Sequence, residues 1–457
     1  MQTLEIFILL FLTLSILSLI AYKKNRASIY FLFIAIIITI LQFFNDGLRW
    51  QLLPAVYLLP IVFFIYKLHQ NKNSILLVNL FLLVWLSISI LLPWAIPVFT
   101  LPEPDGKFNV GTETFHWIDS SRMEWFTNEN MNDHREIMVQ VWYPSLEKPI
   151  NKPQPYMDFM NIRAAALASA GKIPSFFPRH LEMVKTNSYS SLSCLGSINQ
   201  LPVVVFSHGI TGSRFLHQNL FEYLASHGYV VVAPDHSYDS NLTVFPSGRT
   251  ANYRSEITGH PDSVNIRKKQ MITRKLDIEF IINQLIFLNN GQIPSGLAGC
   301  LDLERIALGG HSFGGATATF ATHKNKQIAA CFVLDSWLSP IPDSVISSGI
   351  NIPFLFMGRP TWNTSDYPEN YSHLDRFLER SSGSKYRLII KKTLHLDYTD
   401  IPLLSPLINR FMDVGPLPPE TSLPLINNLT LGFLEKYVAN NKESRFEQTL
   451  KNELIVQ

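Results

Sequence analysis

Gly310-His311-Ser312-Phe313-Gly314 sets one serine between two glycines at GxSxG spacing. The short apolar run Arg305–Gly309 precedes it and a helix-competent stretch, Gly315–Phe320, follows. A serine at the apex of a strand–turn–helix is the nucleophile elbow of α/β-hydrolases, and Gly310 and Gly314 let backbones close in on both sides of it. A serine hydroxyl is a weak nucleophile at neutral pH, so it needs a base, and the base needs an orienting carboxylate. In this fold the carboxylate and then the imidazole follow the serine in the chain, each just past a strand end. Asp335 directly follows the apolar run Ala329–Leu334, and His395 follows Tyr386–Lys391. The order therefore predicts Ser312 as nucleophile, His395 as its base and Asp335 as the orienter.

Competing residues fit less well. Asp397 and Asp400 lie in the same loop as His395 and suit helix caps. Asp302 precedes the elbow strand, which puts it at the wrong end of a sheet. His373 and His323 fall in helical text, while His236 and His260 precede the elbow and break the chain order. The chemistry also needs donors for the oxyanion that develops on a carbonyl under attack. One is the backbone N–H of Phe313, the residue after the nucleophile. The other belongs to a loop after an early strand. Ser207-His208-Gly209-Ile210-Thr211-Gly212 follows the run Pro202–Phe206, and its Ile210 N–H is the candidate. The sequence has no HExxH, EF-hand, Walker or GxGxxG pattern, so the expected chemistry uses no metal and no cofactor.

The elements that must carry these residues are short and apolar. Glu136–Tyr143, Pro202–Ser207, Tyr229–Ala233, Arg305–Gly309, Ala329–Leu334, Ile352–Met357 and Tyr386–Lys391 read as strands. Helical text lies at Leu216–His227, Lys268–Leu288, Ala316–His323 and Tyr371–Ser381. Such alternation implies a mostly parallel sheet covered by helices, an α/β-hydrolase fold over residues 101–457. Residues 153–200 and 237–266 fit the alternation poorly and read as insertions. Within the first, Tyr156–Pro178 suits a covering helix, an acyl-pocket wall or a membrane-contacting cap. Cys194, Cys300 and Cys331 allow at most one bridge and no cysteine-built zinc site.

The whole chain has 457 residues, 47% hydrophobic, yet only 16% charged, against roughly 25% for soluble domains. The deficit begins with residues 1–100, where Lys23, Lys24, Arg26, Arg49, Lys67 and Lys72 face only Glu5 and Asp46. Four apolar stretches fill that region: Leu4–Tyr22, Ser28–Phe44, Gln51–Tyr66 and Ile75–Phe99, each near the ~20 residues that cross a bilayer. They predict an all-α transmembrane region of about four helices, ending at the turn-rich Leu101-Pro102-Glu103-Pro104-Asp105-Gly106. The basic residues cluster in the first and third loops, around Lys23–Arg26 and Lys67–Lys72. By the positive-inside rule those loops are cytoplasmic, and an even span count leaves the C-terminal part on the other face. The first stretch carries Glu5 and no preceding basic residue, unlike a signal peptide. The four runs contain no paired charges of the kind that marks a transport pathway. A formal net charge of +2 also excludes the basic excess of a nucleic-acid binder.

Five segments carry a resemblance. VVVFSHGITGSR, LASHGYVVVAPDHS, GGHSFGGATA, FVLDSWLSP and HLDYTDIPLLSP, in that order, resemble the platelet-activating factor acetylhydrolase family of the plasma type, the lipoprotein-associated phospholipase A2 group, and most its bacterial relatives. The correspondence runs from about Pro102 to Val438 and leaves the apolar N-terminal region outside. The resemblance implies Ser312, Asp335 and His395 as a triad and Ile210 and Phe313 as oxyanion donors. It further implies a calcium-independent hydrolase removing short or oxidised sn-2 acyl groups from phospholipids; the four apolar runs and their loop charges add the expectation of a lipid bilayer, the inner membrane of a bacterium, with the catalytic part on its extracytoplasmic side. A general carboxylesterase, a polyester- or cutinase-like hydrolase, and an inactive membrane receptor are the other readings that the residues admit.

Overall fold

A computed structural model of the chain describes residues 2–22, 26–68, 75–127, 129–130, 132–195, 200–255, 260–365, 367–441 and 443–457. Of the basic loops read as cytoplasmic, Lys23, Lys24 and Lys72 lie outside the described residues. The chain divides into two units. One gathers Met1–Thr100 with two short later segments, Phe176–Val184 and Leu403–Ile408; the other holds the rest.

The first unit is built on α1 (Thr3–Ala21), α2 (Arg26–Asn45), α3 (Leu53–Leu68) and α4 (Ile75–Ala95). All four helices, α3 counted with the 3₁₀ turn Trp50–Leu52 ahead of it, are long and apolar enough to cross a membrane. Leu12, Ile16, Leu32, Ala35, Leu58, Val62 and Leu82 form their common core, while Phe33, Phe44, Leu68 and Leu77 remain exposed. That distribution, apolar inside and outside alike, is the one a helix needs when its solvent is not water. Ser15 Oγ donates to the Ser28 carbonyl at 2.8 Å and Ser28 Oγ to that of Ser15 at 2.9 Å, stitching α1 to α2. One buried pair of opposite charges joins a run to a loop, since Arg49 lies between the second and third runs. Glu5, in the first turn of α1, takes both Nε and Nη2 of Arg49 at 2.7 and 2.8 Å, and both side chains are fully buried. Two residues 44 positions apart gave no periodic signal. The two later segments dock on helix ends: Trp50 packs on Phe176 and Phe177 and donates Nε1–H to the Phe177 carbonyl at 3.1 Å, and Ser405 Oγ donates to the Ala95 carbonyl at 2.6 Å.

The second unit centres on one ten-stranded sheet. Its strands are β1 (Asn109–Met123), β2 (His134–Ser145), β3 (Ser188–Tyr189), β4 (Leu201–Ser207) and β5 (Val230–Asp235). A separate ribbon of β6 (Leu242–Val244) and β7 (Thr250–Asn252) intervenes before β8 (Leu301–His311), β9 (Ile328–Leu334), β10 (Phe354–Gly358), β11 (Lys385–Ile390) and β12 (Ile455–Val456). The spatial order is β12-β11-β10-β9-β8-β4-β5-β2-β1-β3. From β11 to β5 all neighbours are parallel, and β2 and β1 add an antiparallel edge. This is a mostly parallel sheet flanked by helices, the α/β-hydrolase fold.

The central strands are apolar where they are covered on both faces, as β8 is from Ile306 onward. Val203, Val205, Leu308 and Val333 face α7 (Ser263–Asn289), α8 (Phe313–Thr322), the short α9 (Asp343–Ser348) and α10 (Asn370–Arg380), whereas Val204, Phe206, Ala307 and Phe332 face α6 (Gln218–Ser226) and α11 (Pro419–Tyr437). Elements outside the sequence expectation include β1, whose half-polar text hides its pairing, the short β3, β6, β7 and β12, and α11, interrupted by Pro424. Of Tyr156–Pro178, residues Met160–Gly171 form α5 in this unit, and Phe176–Pro178 belong with the first unit. Cys194 and Cys300 form a disulfide, and Cys331 is buried and free.

Candidate active site

Ser312 stands between the end of β8, in mid-sheet, and the start of α8. Its backbone has φ 56° and ψ −122°. A side-chain-bearing residue at such a φ costs on the order of 1–3 kcal/mol and persists only where its surroundings hold it. Here they do: Ser312 N–H donates to Leu334, and its own carbonyl accepts from Gly315 and Trp337, all at 3.0–3.1 Å. The flanking glycines are required by space. A Cβ on Gly310 would fall 2.2 Å from the Gly314 carbonyl oxygen, and one on Gly314 2.0 Å from that of Ser207.

The hydroxyl of Ser312 lies 2.9 Å from His395 Nε2, and His395 Nδ1 lies 2.6 Å from Asp335 Oδ2. Asp335 is fully buried and its other oxygen is taken as well: Oδ1 accepts the Arg359 backbone N–H at 3.1 Å and Trp362 Nε1–H at 3.2 Å. Arg359 Nε approaches Oδ2 at 3.2 Å. His395 is part-exposed, so the hydrogen-bonded chain runs from the interior outward to an accessible serine. His311 supports it from beneath. Burial, with His395 and His217 close by, holds His311 well below the usual imidazole range. The neutral ring meets the His395 carbonyl through Nε2 at 3.0 Å, so Nε2–H is the donor.

The loop after β4 comes close to the nucleophile. A Cβ on Gly209 would meet Ser312 Cβ at 3.2 Å. Among the described residues, neither the Ile210 N–H nor the Phe313 N–H has a protein acceptor. The structure thus brings together Ser312, His395, Asp335, His311, Gly310, Gly314, Ile210 and Phe313. This geometry suits acyl transfer: a hydroxyl with a base, a base with an oriented tautomer, and free backbone donors beside them.

The rivals lie elsewhere or do other things. Asp397 Oδ2 accepts the N–H groups of Leu394 and Gly415, both at 2.6 Å, and fixes the turn His395–Tyr398; burial raises it to about 6. Asp400 caps α6 by accepting the Gln218 N–H at 2.8 Å, and burial raises it to about 7. Asp302 pairs with Arg305 near the start of β8, the far end of the strand from Ser312. His373 is half-buried with its ring 3.0 Å from the Glu369 carbonyl, His260 is exposed, and His323 ends α8.

His236 has a partner set that the sequence did not suggest. Its Nε2 lies 2.9 Å from Ser207 Oγ and its Nδ1 2.8 Å from Asp277 Oδ2, with all three residues fully buried. Arg135 pins Asp277 with contacts of 3.0 and 2.6 Å and, with His236, holds its carboxyl far below the carboxylate range against the burial that would raise it. The signal was unreadable because the three residues come from β4, the end of β5 and the middle of α7. Among the described residues, no group of three His, Cys, Asp or Glu side chains is arranged to hold a metal ion.

The family described as platelet-activating factor acetylhydrolase, isoform II, matches residues 97–453. The chain belongs to that family. The match begins at residue 97, so α1–α4 lie outside it. By family the chain is a serine ester hydrolase. It is 23% identical over 369 residues to a platelet-activating factor acetylhydrolase of Cavia porcellus, covering 75% of this chain and 79% of that one. It is 24% identical over 321 residues to a probable 1-alkyl-2-acetylglycerophosphocholine esterase of Arthroderma benhamiae, covering 67% and 77%. In fold it is similar to a ferulic acid esterase from Streptomyces cinnamoneus, with a TM-score of 0.60 and 24% identity over 76% of this chain and 94% of that structure.

Proposed function

We propose that Ser312, His395 and Asp335 act as a catalytic triad that hydrolyses the sn-2 ester of phospholipids bearing a short or oxidised acyl chain, without calcium. The observation that carries the mechanism is the unbroken chain Ser312 Oγ–His395 Nε2–His395 Nδ1–Asp335 Oδ2, at 2.9 and 2.6 Å. His395 takes the Ser312 proton as Oγ attacks the ester carbonyl. The oxyanion forms beside the N–H groups of Ile210 and Phe313, which supply the polarisation that a metal ion supplies in other phospholipases. The tetrahedral intermediate collapses when His395 returns the proton to the leaving alkoxide, giving a lysophospholipid and acyl-Ser312. Water, deprotonated by His395, then releases the carboxylic acid and restores the serine. The substrate class is supported by the family and by relatives named for platelet-activating factor and 1-alkyl-2-acetylglycerophosphocholine.

The second part of the proposal is that α1–α4 anchor this hydrolase in a membrane, with the hydrolase part away from the cytoplasm, as on the outer face of a bacterial inner membrane. Basic residues in alternate loops and an even number of helices support that sidedness. So does the Cys194–Cys300 disulfide, because such bonds persist outside reducing compartments. Ser312→Ala should keep the fold and abolish release of acetate from an acetylated phospholipid. Full activity in that variant, or a simple ester cleaved far faster than the phospholipid, would overturn the mechanism or the substrate class respectively. A fluorophosphonate probe that cannot enter cells should label the protein in cells with an intact inner membrane. Labelling only after that membrane is permeabilised would refute the sidedness.

A further inference from the structure

An oxyanion donor on a loop is useful only if its N–H is aimed, and the Ile210 N–H shares a rigid peptide plane with the Gly209 carbonyl. The two groups point in opposite directions across that plane, so whatever holds the Gly209 oxygen also aims the Ile210 N–H. Among the described residues three donors hold it: the Gly212 N–H at 3.1 Å, His208 Nδ1 at 2.6 Å and Arg274 Nη2 at 3.3 Å. Gly212 belongs to the same turn and His208 to the neighbouring residue, so only Arg274 reaches in from another element. Its Nη1 also donates to the His208 carbonyl at 2.5 Å, fixing the preceding peptide.

The same guanidinium lies over the Phe313 ring, 4.8 Å from its centroid. One side chain in the middle of α7 therefore touches the peptide that carries the Ile210 N–H, through the Gly209 carbonyl, and the ring of Phe313. Arg274 is itself immobilised: it is 1% exposed, and its Nε donates to Asp239, which Gln270 holds from the other side. A planar fork with donors on three nitrogens serves two carbonyls and a carboxylate from separate, fixed positions, whereas a lysine gathers its three donors on one atom and cannot reproduce that spread.

We propose that Arg274 is the positioning residue of the oxyanion pair, setting the direction of the Ile210 N–H and its distance from that of Phe313. This rests on the reading of Ser312 as nucleophile and of Ile210 and Phe313 as donors. Arg274→Lys keeps a cation but loses the fork. The double variant Arg274→Met with Asp239→Asn removes the ion pair without stranding a buried carboxylate. In the full-length protein in detergent, with active sites counted by fluorophosphonate titration, both variants should lower kcat per titrated site by roughly 10–100-fold and leave KM within about threefold. Both should weaken a trifluoromethyl ketone analogue of the acetyl substrate by the same factor as kcat. A residue that merely stabilised the fold would lower the melting temperature and the titrated fraction, leaving kcat per site and analogue affinity alone, and that result overturns the proposal. A rise in KM at unchanged kcat overturns it too. Ser312→Ala is run beside them: if it stays active, the nucleophile reading has failed, whereas a dead Ser312→Ala with wild-type kcat per site in both arginine variants refutes the positioning role alone.

Discussion

Asp335→Asn tests the triad with a one-atom change whose outcome the surroundings dictate. In the native chain Oδ1 receives two groups that can only donate, the Arg359 backbone N–H and Trp362 Nε1–H, at 3.1 and 3.2 Å. An asparagine must therefore turn its carbonyl oxygen toward them and its NH₂ toward His395. His395 Nδ1, 2.6 Å from that position, would have to become an acceptor. The ring proton then moves to Nε2, the nitrogen that faces Ser312 Oγ, and a protonated Nε2 cannot take the serine proton. Arg359 Nε, 3.2 Å from the substituted atom, adds a second donor facing the new NH₂ and gives it no acceptor. The fold should survive, because the volume is unchanged and the Oδ1 contacts remain. Wrong-tautomer variants of such triads lose about 10⁴ in kcat, or about 5 kcal/mol of transition-state stabilisation. The assay is steady-state release of acetate, with melting temperature as the control for folding. Retention of more than about a tenth of wild-type kcat would break the reasoning, since no rotamer of the introduced asparagine satisfies both sides. Asp397→Asn is the companion: a single oxygen of Asp397 accepts both of its N–H groups, an amide oxygen can do the same, and kcat should stay within about threefold.

Two further outcomes concern stability. Replacing Cys194 and Cys300 by serine opens a link spanning 106 residues and should cost about 3–5 kcal/mol, seen as a lower urea midpoint with unchanged kcat; a midpoint insensitive to reductant would contradict the assignment. Burial raises Glu222 and Asp400 to about 7, so the folded state holds protons there that the unfolded chain gives up near pH 4. Their contribution favours folding at low pH and is lost as pH rises from about 4 through about 7. Buried histidines such as His217, lowered to about 3, act in the opposite sense over the same range, so the test is the difference between chains: the urea midpoint of Asp400→Asn relative to the native chain should rise as pH goes from about 4 to about 7, and a difference that does not change with pH would refute the attribution.

The parts of the site that were legible in the sequence are those tied to strand ends. Ser312, Asp335 and His395 each follow a short apolar run, and a run that is buried on both faces has no polar residue to blur its limit. The central strands read clearly for the same reason. β1 did not, because only some of its residues are covered, and polar positions such as Glu113, Asp119 and Ser121 dilute its alternation. Arg274 was hidden differently. It lies in a stretch of α7 rich in lysine and arginine, RKKQMITRKLD, where one buried arginine looks like its solvated neighbours. Arg359 and Trp362, which surround Asp335, and the Glu5–Arg49 pair depend on tertiary contact alone and leave no mark in spacing.

Ser207, His236 and Asp277 have nearly the same interatomic spacings as Ser312, His395 and Asp335. The molecule thus contains its own control experiment. Both sets join a hydroxyl to an imidazole to a carboxylate, but the inner one is fully buried, whereas Ser312 and His395 are part-exposed. A probe that reacts with activated serines should mark residue 312 and pass over residue 207, although a template of three atoms would score the two alike. On the proposed mechanism access separates the two serines, and the triad geometry, which the fold repeats, does not confer reactivity by itself.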